Sequence, residues 1–528
     1  MRKILVLLLM AISAALVFAS GGSQQGAVSG TDPYANAPKE ISMTLLDRGL
    51  VPASEGTMAD NRWVRWINEN SPVKVTMVPV PRNGSRDAIT ALFAAGMAPD
   101  IVWEYNKITM DMYYDQGVIQ PVGDYIQKYS TAYKKYLEDN ADLVSYCIAP
   151  DGKQYGMTSR RTIQSLVNQG IFVRQDWLNK FGMKIPTTTD EALAFMRRAV
   201  NEDPDGNGLK DTWGVGTDYS WPIVCNAMFG KPSGDFNVVN GHFVDWYSTQ
   251  GYHDALAFMA QVYQEGLIDP EYITDGPNFT RQKQFMVTGK IAMRFQGIGF
   301  QGDYYDFIKN VPNADFVPID PLTSNQGKFG FGQEVPFLKM CVMNKAAKNP
   351  KAIMEYMDWL ITDGYFTLSY GLEGRHYRLV NGVPQVIDAD LNRVEVDYIK
   401  GNSEFALVDN LQMTLDWIPI QAAQDPISQD WAKRYAAAVG KTLNTPYLRY
   451  VPYEPTSPAI EAFNLATSGL TTQVNALETA IMIGRLSVDE GLRQINEYKK
   501  SVGWDAVNAE KDAWYQANKG LFAGFSVK

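Results

Sequence analysis

The alternation of short apolar segments with amphipathic helical segments, beginning at Glu40, constrains the fold of this chain most strongly. Apolar residues follow a strand-like pattern in some segments and a helix-like pattern in the segments between them. Strand and helix in this order predict an α/β protein with a parallel, doubly wound sheet. The predicted elements are a strand at Ile41 to Leu46, a helix at Arg62 to Asn70, a strand at Val73 to Val80, a helix at Asp87 to Ala95 and a strand at Pro99 to Trp103.

Trp103, Glu104 and Tyr105 stand at the end of the last of these strands. In open α/β sheets, ligands bind beyond the carboxyl ends of the strands. The three residues are therefore candidates for ligand contacts, while a purely structural role for Trp103 stays open.

The length of 528 residues predicts two or three domains, and the last third of the chain is mostly helical in pattern. The helical segments include Ala459 to Ala466, Val474 to Met482, Val488 to Lys500 and Ala506 to Asn518. The formal net charge of −10 is spread without long blocks of one sign, which argues against nucleic acid as a partner.

The first 19 residues have the pattern of a secretory signal peptide. Arg2 and Lys3 precede a short apolar run, and small residues follow it at the cleavage position. Position 20 is Ser, where a lipid anchor requires Cys. We therefore expect a protein exported to the periplasm or another extracytoplasmic space without a lipid anchor, beginning with a flexible leader at residues 20–38.

Three cysteines, Cys147, Cys225 and Cys341, are too few for a disulfide framework. They are expected to be buried thiols, although an exported protein could form a single disulfide among them.

A calcium loop is predicted at Asp203 to Asp211. The expected ligands are Asp203, Asp205, Asn207, the carbonyl of Leu209 and Asp211. Gly208 stands where such a loop must turn, but Gly214 replaces the final bidentate Glu. The missing ligand must come from elsewhere, for instance from Thr212, and the alternative is a polar turn without metal.

Catalytic motifs are scarce in this sequence. It contains three histidines without zinc-ligand spacing and no nucleophile elbow. A glycan-cleaving enzyme that uses a pair of carboxylates is the alternative to a binding protein. Carboxylates near aromatic residues that could form such a pair are Glu104, Asp218, Glu334 and Asp416.

Five segments together resemble the extracellular solute-binding proteins of ABC importers, in particular their LplA-like branch, which binds sugars and oligosaccharides. The segments are Asp87 to Trp103, Phe172 to Glu191, Phe285 to Met293, Tyr370 to Tyr377 and Ile481 to Leu492. The resemblance implies a type II-like periplasmic-binding-protein fold, in which two α/β lobes enclose a ligand cleft. Lobe 1 is expected at 39–160 and about 335–395, and lobe 2 at 161–334 and about 396–528.

The resemblance also implies which segments face the cleft. Tryptophan and tyrosine would stack on sugar rings, while arginine, glutamate and histidine would bind sugar hydroxyls. The expected contacts are Trp103, Glu104, Tyr105, Arg160, Trp221, Trp246, Arg294, Glu334, His376 and Tyr377.

The predicted function is that of a receptor, not an enzyme. It would close on a carbohydrate, most plausibly an oligosaccharide, and deliver it to the membrane subunits of an ABC permease as a monomer. A membrane sensor kinase is a second partner that the sequence leaves open, as is the identity of the ligand, including an acidic sugar.

Overall fold

The computed structural model describes residues 32–163, 166, 170–217, 220–231, 237–275, 279–296, 301–400, 404–444, 449–450, 460, 463 and 470–519. Residues 39–528 belong to one compact unit. Residues 32–38 precede it and form turns, in which the N–H of Ala35 donates to the carbonyl of Asp32 at 3.0 Å. In the described ranges no helix combines the length and the apolarity that a membrane crossing requires.

The first part of the chain alternates strands and helices, as predicted. Its elements are β1 (Glu40–Asp47), α1 (Arg62–Asn70), β2 (Lys74–Pro81), α2 (Ser85–Ala94), β3 (Ile101–Glu104), α3 (Lys107–Asp115), β4 (Ile119–Gln120), α4 (Gly123–Tyr129), α5 (Ala132–Asp139), α6 (Ala141–Val144) and β5 (Gly156–Met157). The middle part contains β6 (Gly170–Arg174), α7 (Gln175–Phe181), α8 (Thr189–Asn201), β7 (Trp213–Thr217), α9 (Ser220–Met228), β8 (Val238–Val239), β9 (His242–Phe243), α10 (Gln250–Gln264), α11 (Thr280–Val287), β10 (Ile291–Gln296), α12 (Gln301–Asn310), β11 (Phe316–Ile319), β12 (Thr323–Ser324) and β13 (Gly327–Lys328).

The last part is mostly helical, which confirms the sequence pattern. Its elements are β14 (Gly332–Gln333), β15 (Met340–Asn344), α13 (Pro350–Trp359), α14 (Tyr365–Tyr370), β16 (Tyr377–Val380), β17 (Val383–Val386), α15 (Ala389–Glu395), α16 (Asp397–Lys400), α17 (Trp417–Gln421), α18 (Pro426–Leu443), β18 (Arg449–Tyr450), α19 (Leu470–Met482), α20 (Val488–Ser501) and α21 (Trp504–Asn518). The predicted helix at Ala459 to Ala466 falls almost wholly outside the described residues.

The first sheet has the strand order β2-β1-β3-β15-β4, with β5 also paired to β15. β1 runs parallel to β2 and β3, but β15 is antiparallel to β3, β4 and β5. The strands predicted from the alternating pattern, β1 to β3, are parallel as expected, and the sheet also contains the antiparallel β15, which that pattern does not include. That strand returns from the middle of the chain, and a local strand and helix pattern does not encode its direction.

The second sheet has the order β11-β6-β10-β7. β6 is antiparallel to both of its neighbours, whereas β10 and β7 are parallel. Side chains alternate between its two faces, as strand geometry requires. Ile171 and Val173 pack into one hydrophobic cluster, while Phe172 between them packs into another.

Two parts of the structure are thus built around separate sheets, which we call the first lobe and the second lobe. The first-lobe core includes residues up to Met157, the segment from Phe337 to Leu368, and Val396 to Val408. The second-lobe core includes α8, α10 and residues of α19 and α20. Val396, Tyr398, Ile399 and residues 405–408 thus pack into the first-lobe core, although the predicted boundary assigns them to lobe 2. The predicted domain bounds themselves stay a prediction.

All three cysteines are buried free thiols. Burial raises the pKa of Cys147 and of Cys341 to about 12, so both thiols are protonated at neutral pH. The expectation of buried thiols is confirmed, and the alternative of a disulfide is not.

Candidate ligand-binding site

The candidate site lies where the parallel strands of the first sheet end. Asp47, the last residue of β1, is in register with Pro81, the last residue of β2. The N–H of Arg82 donates to the carbonyl of Asp47 at 2.8 Å. β3 lies on the other side of β1 and ends at Glu104. Since the carboxyl ends of parallel strands share one edge of a sheet, the residues that follow them form one surface.

Tyr105 connects this edge to a distant part of the chain. Its hydroxyl donates to Glu404 Oε1 and accepts from Arg48 Nη2, both at 3.0 Å. Arg48 Nε also donates to Glu404 Oε1, at 2.7 Å. Burial raises the pKa of Tyr105 and also that of Glu404. Tyr105 is therefore a neutral phenol whose hydroxyl group bridges two charged side chains. We call Arg48, Glu104, Tyr105 and Glu404 the Tyr105 cluster.

Glu104 places a nearly buried carboxylate beside a pocket. The residue is 5% exposed, and its Oε2 accepts a long hydrogen bond from the N–H of Tyr105 at 3.4 Å. Its Oε1 has no hydrogen-bond partner in the part of the chain that the structure describes. The pocket has a volume of about 470 Å³ and is lined by residues 82–87 and 104–106. A buried carboxylate oxygen without a donor is costly, which is the situation that a ligand hydroxyl would relieve.

Arg161 and Glu334 lie where the chain passes between the two lobes. Arg161 Nε donates to the carbonyls of Val335 and Phe337 at 3.1 and 3.3 Å. Its Nη2 lies 3.8 Å from Glu334 Oε2, and the Glu334 side chain is 41% exposed. Burial lowers the pKa of Arg161, an effect that the charge of Glu334 partly offsets. Glu334 is thus held near Arg161 and remains accessible to a ligand.

Arg160, the residue before Arg161, is one of the predicted ligand contacts, but its side chain binds other partners. Its Nε donates to Asn140 Oδ1 at 2.8 Å, and its Nη2 forms an ion pair with Asp142. These partners lie next to α5 and in α6, on the surface of the first lobe. The structure thus gives the guanidinium of Arg160 local partners, and Arg160 is not among the residues that line the pocket beside Glu104, so its contact with a ligand stays a prediction.

Trp103 is a core residue in this structure. It is 1% exposed, and its Nε1 donates to the carbonyl of Thr44 at 2.9 Å. The ring of Tyr105 packs against the indole with the two centroids 5.2 Å apart, and the ammonium of Lys339 lies over the indole ring. As placed, the indole has no face free to stack on a sugar ring. Trp103 therefore has the structural role that the sequence analysis left open.

Trp221, Trp246 and Arg294 also depart from the prediction. They are 1%, 4% and 1% exposed, respectively. The Trp221 ring packs 5.2 Å from Phe295, and the Trp246 ring packs 6.1 Å from Tyr252. All three lie inside the second lobe. Large side chains fill cores as readily as they line clefts, so their residue type alone did not distinguish the two places.

His376 belongs to a closed polar cluster. It is fully buried, its Nδ1 accepts from the N–H of Leu372 at 2.8 Å, and its Nε2 lies 2.8 Å from Glu395 Oε2. Because Nδ1 is an acceptor, Nε2 carries the proton and donates to Glu395. Burial lowers the pKa of His376, which keeps the ring neutral. Its predicted contact with ligand is therefore replaced by a structural role.

Tyr377 begins the β16–β17 hairpin and is 6% exposed. Its ring packs 5.5 Å from Phe366 and 6.3 Å from Tyr370. The hairpin and α14 thus hold this side chain within an aromatic cluster, away from solvent.

The predicted calcium loop forms a compact turn that uses most of its own oxygens. Asp203 Oδ1 accepts from the N–H of Gly206 at 3.0 Å, and its Oδ2 accepts from the N–H of Gly208 at 2.9 Å. Asn207 Oδ1 accepts from the N–H of Leu209 at 2.7 Å. The hydroxyl of Thr212, the candidate replacement ligand, donates to a carbonyl of α8 at 2.7 Å and is turned away from the loop.

Lys290 occupies a central position against this loop. Its ammonium forms ion pairs with Asp205 Oδ2 and, at 2.9 Å, with Asp211 Oδ2. The Nδ2 of Asn207 donates to the same two carboxylates at 3.1 Å. Among the described residues, no group of three acidic, histidine or cysteine side chains is arranged to hold a metal ion. The oxygen chemistry suits calcium, but the ammonium of Lys290 already pairs with two of the three aspartates, Asp205 and Asp211, so calcium stays a prediction.

The carboxylates of the hydrolase alternative have separate surroundings. Asp218 lies outside the described residues. Glu104 borders the pocket, Glu334 faces Arg161, and Asp416 accepts from the hydroxyl of Thr414. No hydrogen bond joins any two of these three described carboxylates.

The sequence analysis missed three residues of this site, Arg48, Arg82 and Glu404. The strand-end rule could have found the first two, because they follow the predicted strands at Ile41 to Leu46 and Val73 to Val80. Nothing local could have found Glu404, which lies 299 residues from Tyr105 in the sequence.

The comparisons with known proteins agree with this architecture. Residues 58–365 match the bacterial extracellular solute-binding proteins, and the chain belongs to this family. It is 24% identical over 394 residues to the polygalacturonan/rhamnogalacturonan-binding protein YtcQ of Bacillus subtilis (strain 168). That match covers 71% of this chain and 74% of YtcQ.

Solved structures of similar fold include the alginate-binding protein AlgQ2 without calcium ion. Its TM-score is 0.68 at 18% identity, covering 90% of this chain and 98% of AlgQ2. An EF-hand mutant of the Streptococcus pneumoniae substrate-binding protein FusA, in complex with fructo-nystose, has a TM-score of 0.65 at 16% identity. That alignment covers 91% of this chain and 99% of FusA. The predicted two-lobe periplasmic-binding-protein fold is thereby confirmed.

Proposed function

We propose that this protein is a receptor that binds a carbohydrate at the carboxyl edge of the first sheet and releases it unchanged. The observation that carries the proposal is Glu104, a nearly buried residue that lines the pocket and whose Oε1 has no hydrogen-bond partner in the described part of the chain. Sugar hydroxyls are donors that satisfy such an oxygen. The names of YtcQ, AlgQ2 and FusA, which refer to glycan ligands or substrates, support the same class of ligand.

The position of the site supports closure on the ligand. Arg161 and Glu334 lie on the two segments between the first-lobe and second-lobe cores, and their side chains are 3.8 Å apart. A ligand that contacts groups of both lobes in the closed state favours that state by the free energy of those contacts. A closed, loaded receptor then presents a surface that an ABC permease can distinguish from the open one.

The setting of this receptor is a proposal from the sequence and the family. A signal peptide at residues 1–19 directs the protein across the inner membrane, and Ser20 leaves no cysteine for lipid attachment. The protein acts as a monomer, as expected for a soluble carrier to a permease. Calcium, if it binds at residues 203–211, stabilises the loop without entering the ligand site.

The test is thermal unfolding of the mature protein against neutral and acidic oligosaccharides, followed by analysis of each recovered glycan. A ligand at 100 times its Kd adds about 2.7 kcal/mol of stability, which raises the Tm by a few degrees. Recovery of the intact glycan supports a receptor, whereas cleaved glycan supports the hydrolase instead.

Glu104→Gln locates the binding site in the same assay. The variant should lose about half of the ligand-induced rise in Tm, because a roughly tenfold weaker affinity lowers the added stability by that share at the same ligand concentration. Glu202→Gln is the matched control, because Glu202 pairs with Arg198 on the surface of the second lobe. An unchanged rise in the Glu104→Gln variant would contradict the proposed site.

A further inference from the structure

The pocket beside Glu104 has a second wall of a different character. α2 begins at Ser85 and has ten residues, and its first turn lines the pocket. The N-cap is Gly84, with φ of 80°, which has no side chain to accept from the first amide groups of the helix. Those amide groups carry partial positive charge and bind anions when one is present.

Two arginines flank the same turn. Arg82 and Arg86 both line the pocket, and neither forms an ion pair with any residue in the described ranges. The guanidinium of Arg82 lies over the ring of Tyr105, 4.9 Å from its centroid, which holds it at the edge of the site. Asp87 lies in the same turn, so the two arginines and this carboxylate together leave one net positive charge on this wall.

The two walls therefore favour different chemical groups. Glu104 Oε1, nearly buried and without a partner among the described residues, requires a hydrogen-bond donor. Arg82, Arg86 and the first turn of α2 favour an anion, and guanidinium groups pair well with planar carboxylates. A neutral sugar would satisfy only the first wall, and a simple carboxylate would satisfy only the second.

We propose that this pocket binds an acidic sugar residue, whose hydroxyl donates to Glu104 while its carboxylate faces Arg82, Arg86 and the start of α2. This inference rests on the proposed carbohydrate function and specifies its class of ligand as hexuronate-containing oligosaccharides. The carboxylate then distinguishes such a ligand from a neutral glycan of the same shape.

The experiment is isothermal titration of the mature protein with oligogalacturonate, oligomannuronate and oligoglucuronate, each paired with its carboxyl-reduced, neutral counterpart. At least one acidic oligosaccharide should bind roughly tenfold or more tightly than its neutral partner, because a charge-assisted contact distinguishes them. The difference should shrink with added salt, since Arg86 is exposed and Arg82 is only partly buried.

Arg82→Met and Arg86→Met test the assignment within the protein. Either variant should lower the affinity for the acidic ligand by a larger factor than the affinity for its neutral counterpart, which reduces the preference for the acid. Arg393→Met is the matched control, because Arg393 is 72% exposed and pairs with the exposed Asp390. The Tm of each variant without ligand verifies that it is folded.

The outcomes separate the two proposals. If neutral glycans bind as tightly as their acidic parents, the acidic-sugar inference is overturned and the carbohydrate receptor stands. If neither class binds, both are overturned. If an acid binds preferentially but the arginine variants match Arg393→Met, the assignment to this pocket is overturned.

Discussion

Two clusters of buried charge lie in the first lobe, and they use their carboxylates differently. In the His376 cluster, Glu395 receives two hydrogen bonds from Arg375, one from His376 and an ion pair from Arg62. In the Tyr105 cluster, Glu404 Oε2 and Glu104 Oε1 have no hydrogen-bond partner among the described residues.

The difference separates a structural cluster from a binding cluster. A carboxylate whose oxygens are all satisfied stabilises the fold and has no capacity left for a ligand. A nearly buried carboxylate oxygen without a donor lowers stability in the free protein, and a ligand that supplies the donor recovers that free energy. Mutations in the two clusters should therefore act on different properties.

The largest expected effect is a loss of stability when the His376 cluster is altered. Glu395→Gln leaves Arg62 and Arg375 without their shared carboxylate, so the free energy of unfolding should fall by roughly 2 kcal/mol or more. Urea unfolding measures this change, with Glu202→Gln as the control for loss of a surface charge. Ligand affinity should be unchanged, and a loss of affinity as large as that of Glu104→Gln would contradict the division between clusters.

Acid should weaken the same cluster. Hydrogen bonds from Arg375, together with His376 and Arg62, lower the pKa of Glu395 from 4.5 to about 2. The unfolded state therefore binds a proton before the folded state does, and stability falls as the pH drops from about 4.5 to about 2. The lowered pKa of His376 acts in the same direction below its ordinary value of 6.5.

Unfolding in urea at a series of pH values measures this loss. The wild type should lose more stability than Glu395→Gln between pH 4.5 and 2, because the variant lacks the titrating group. Parallel curves would contradict the pairing of Glu395.

A substitution in the Tyr105 cluster should change ligand affinity instead of stability. Glu104→Gln removes a nearly buried charge whose Oε1 has no hydrogen-bond partner among the described residues, so stability should stay within about 0.5 kcal/mol of the wild type or rise. Affinity for the carbohydrate should fall roughly tenfold, since a hydrogen bond to a charged acceptor is lost. Titration calorimetry and urea unfolding of the same sample give both values, and a stable variant with wild-type affinity would remove Glu104 from the site.

The smallest expected effect concerns the loop at residues 203–211. Hydrogen bonds to Asp205 and Asp211 raise the pKa of Lys290, although its partial burial would lower it. Lys290→Met should cost about 1 kcal/mol without calcium, and added calcium should restore it by taking the place of the ammonium. The wild type should gain less from calcium than the variant. Equal gains, measured by Tm with calcium and with chelator, would show that Lys290 does not compete.

Local sequence signals predicted much of the fold. Helix α1 has the predicted bounds, and Thr188 caps α8 with the reciprocal Glu191 contact that the Thr-Thr-Asp-Glu run favours. The end of β3 also lies where the alternating pattern places it, at the edge that carries the pocket. These features depend on residues a few positions apart.

The rest depends on contacts between distant segments. Trp221 and His376 carry side chains that suit a ligand site, but packing from other segments buries them. Glu404 reaches Tyr105 only because the residues that follow it, 405–408, pack into the first-lobe core. Antiparallel β15 enters the first sheet for the same reason. A single sequence contains no local signal for these contacts.

The most direct test of the central claim is a crystal structure of the mature protein with the oligosaccharide that raises its Tm most. We expect the glycan at the carboxyl edge of the first sheet, with a hydroxyl within hydrogen-bond distance of Glu104 Oε1. A glycan bound elsewhere, with Glu104 still lacking a donor, would contradict the account.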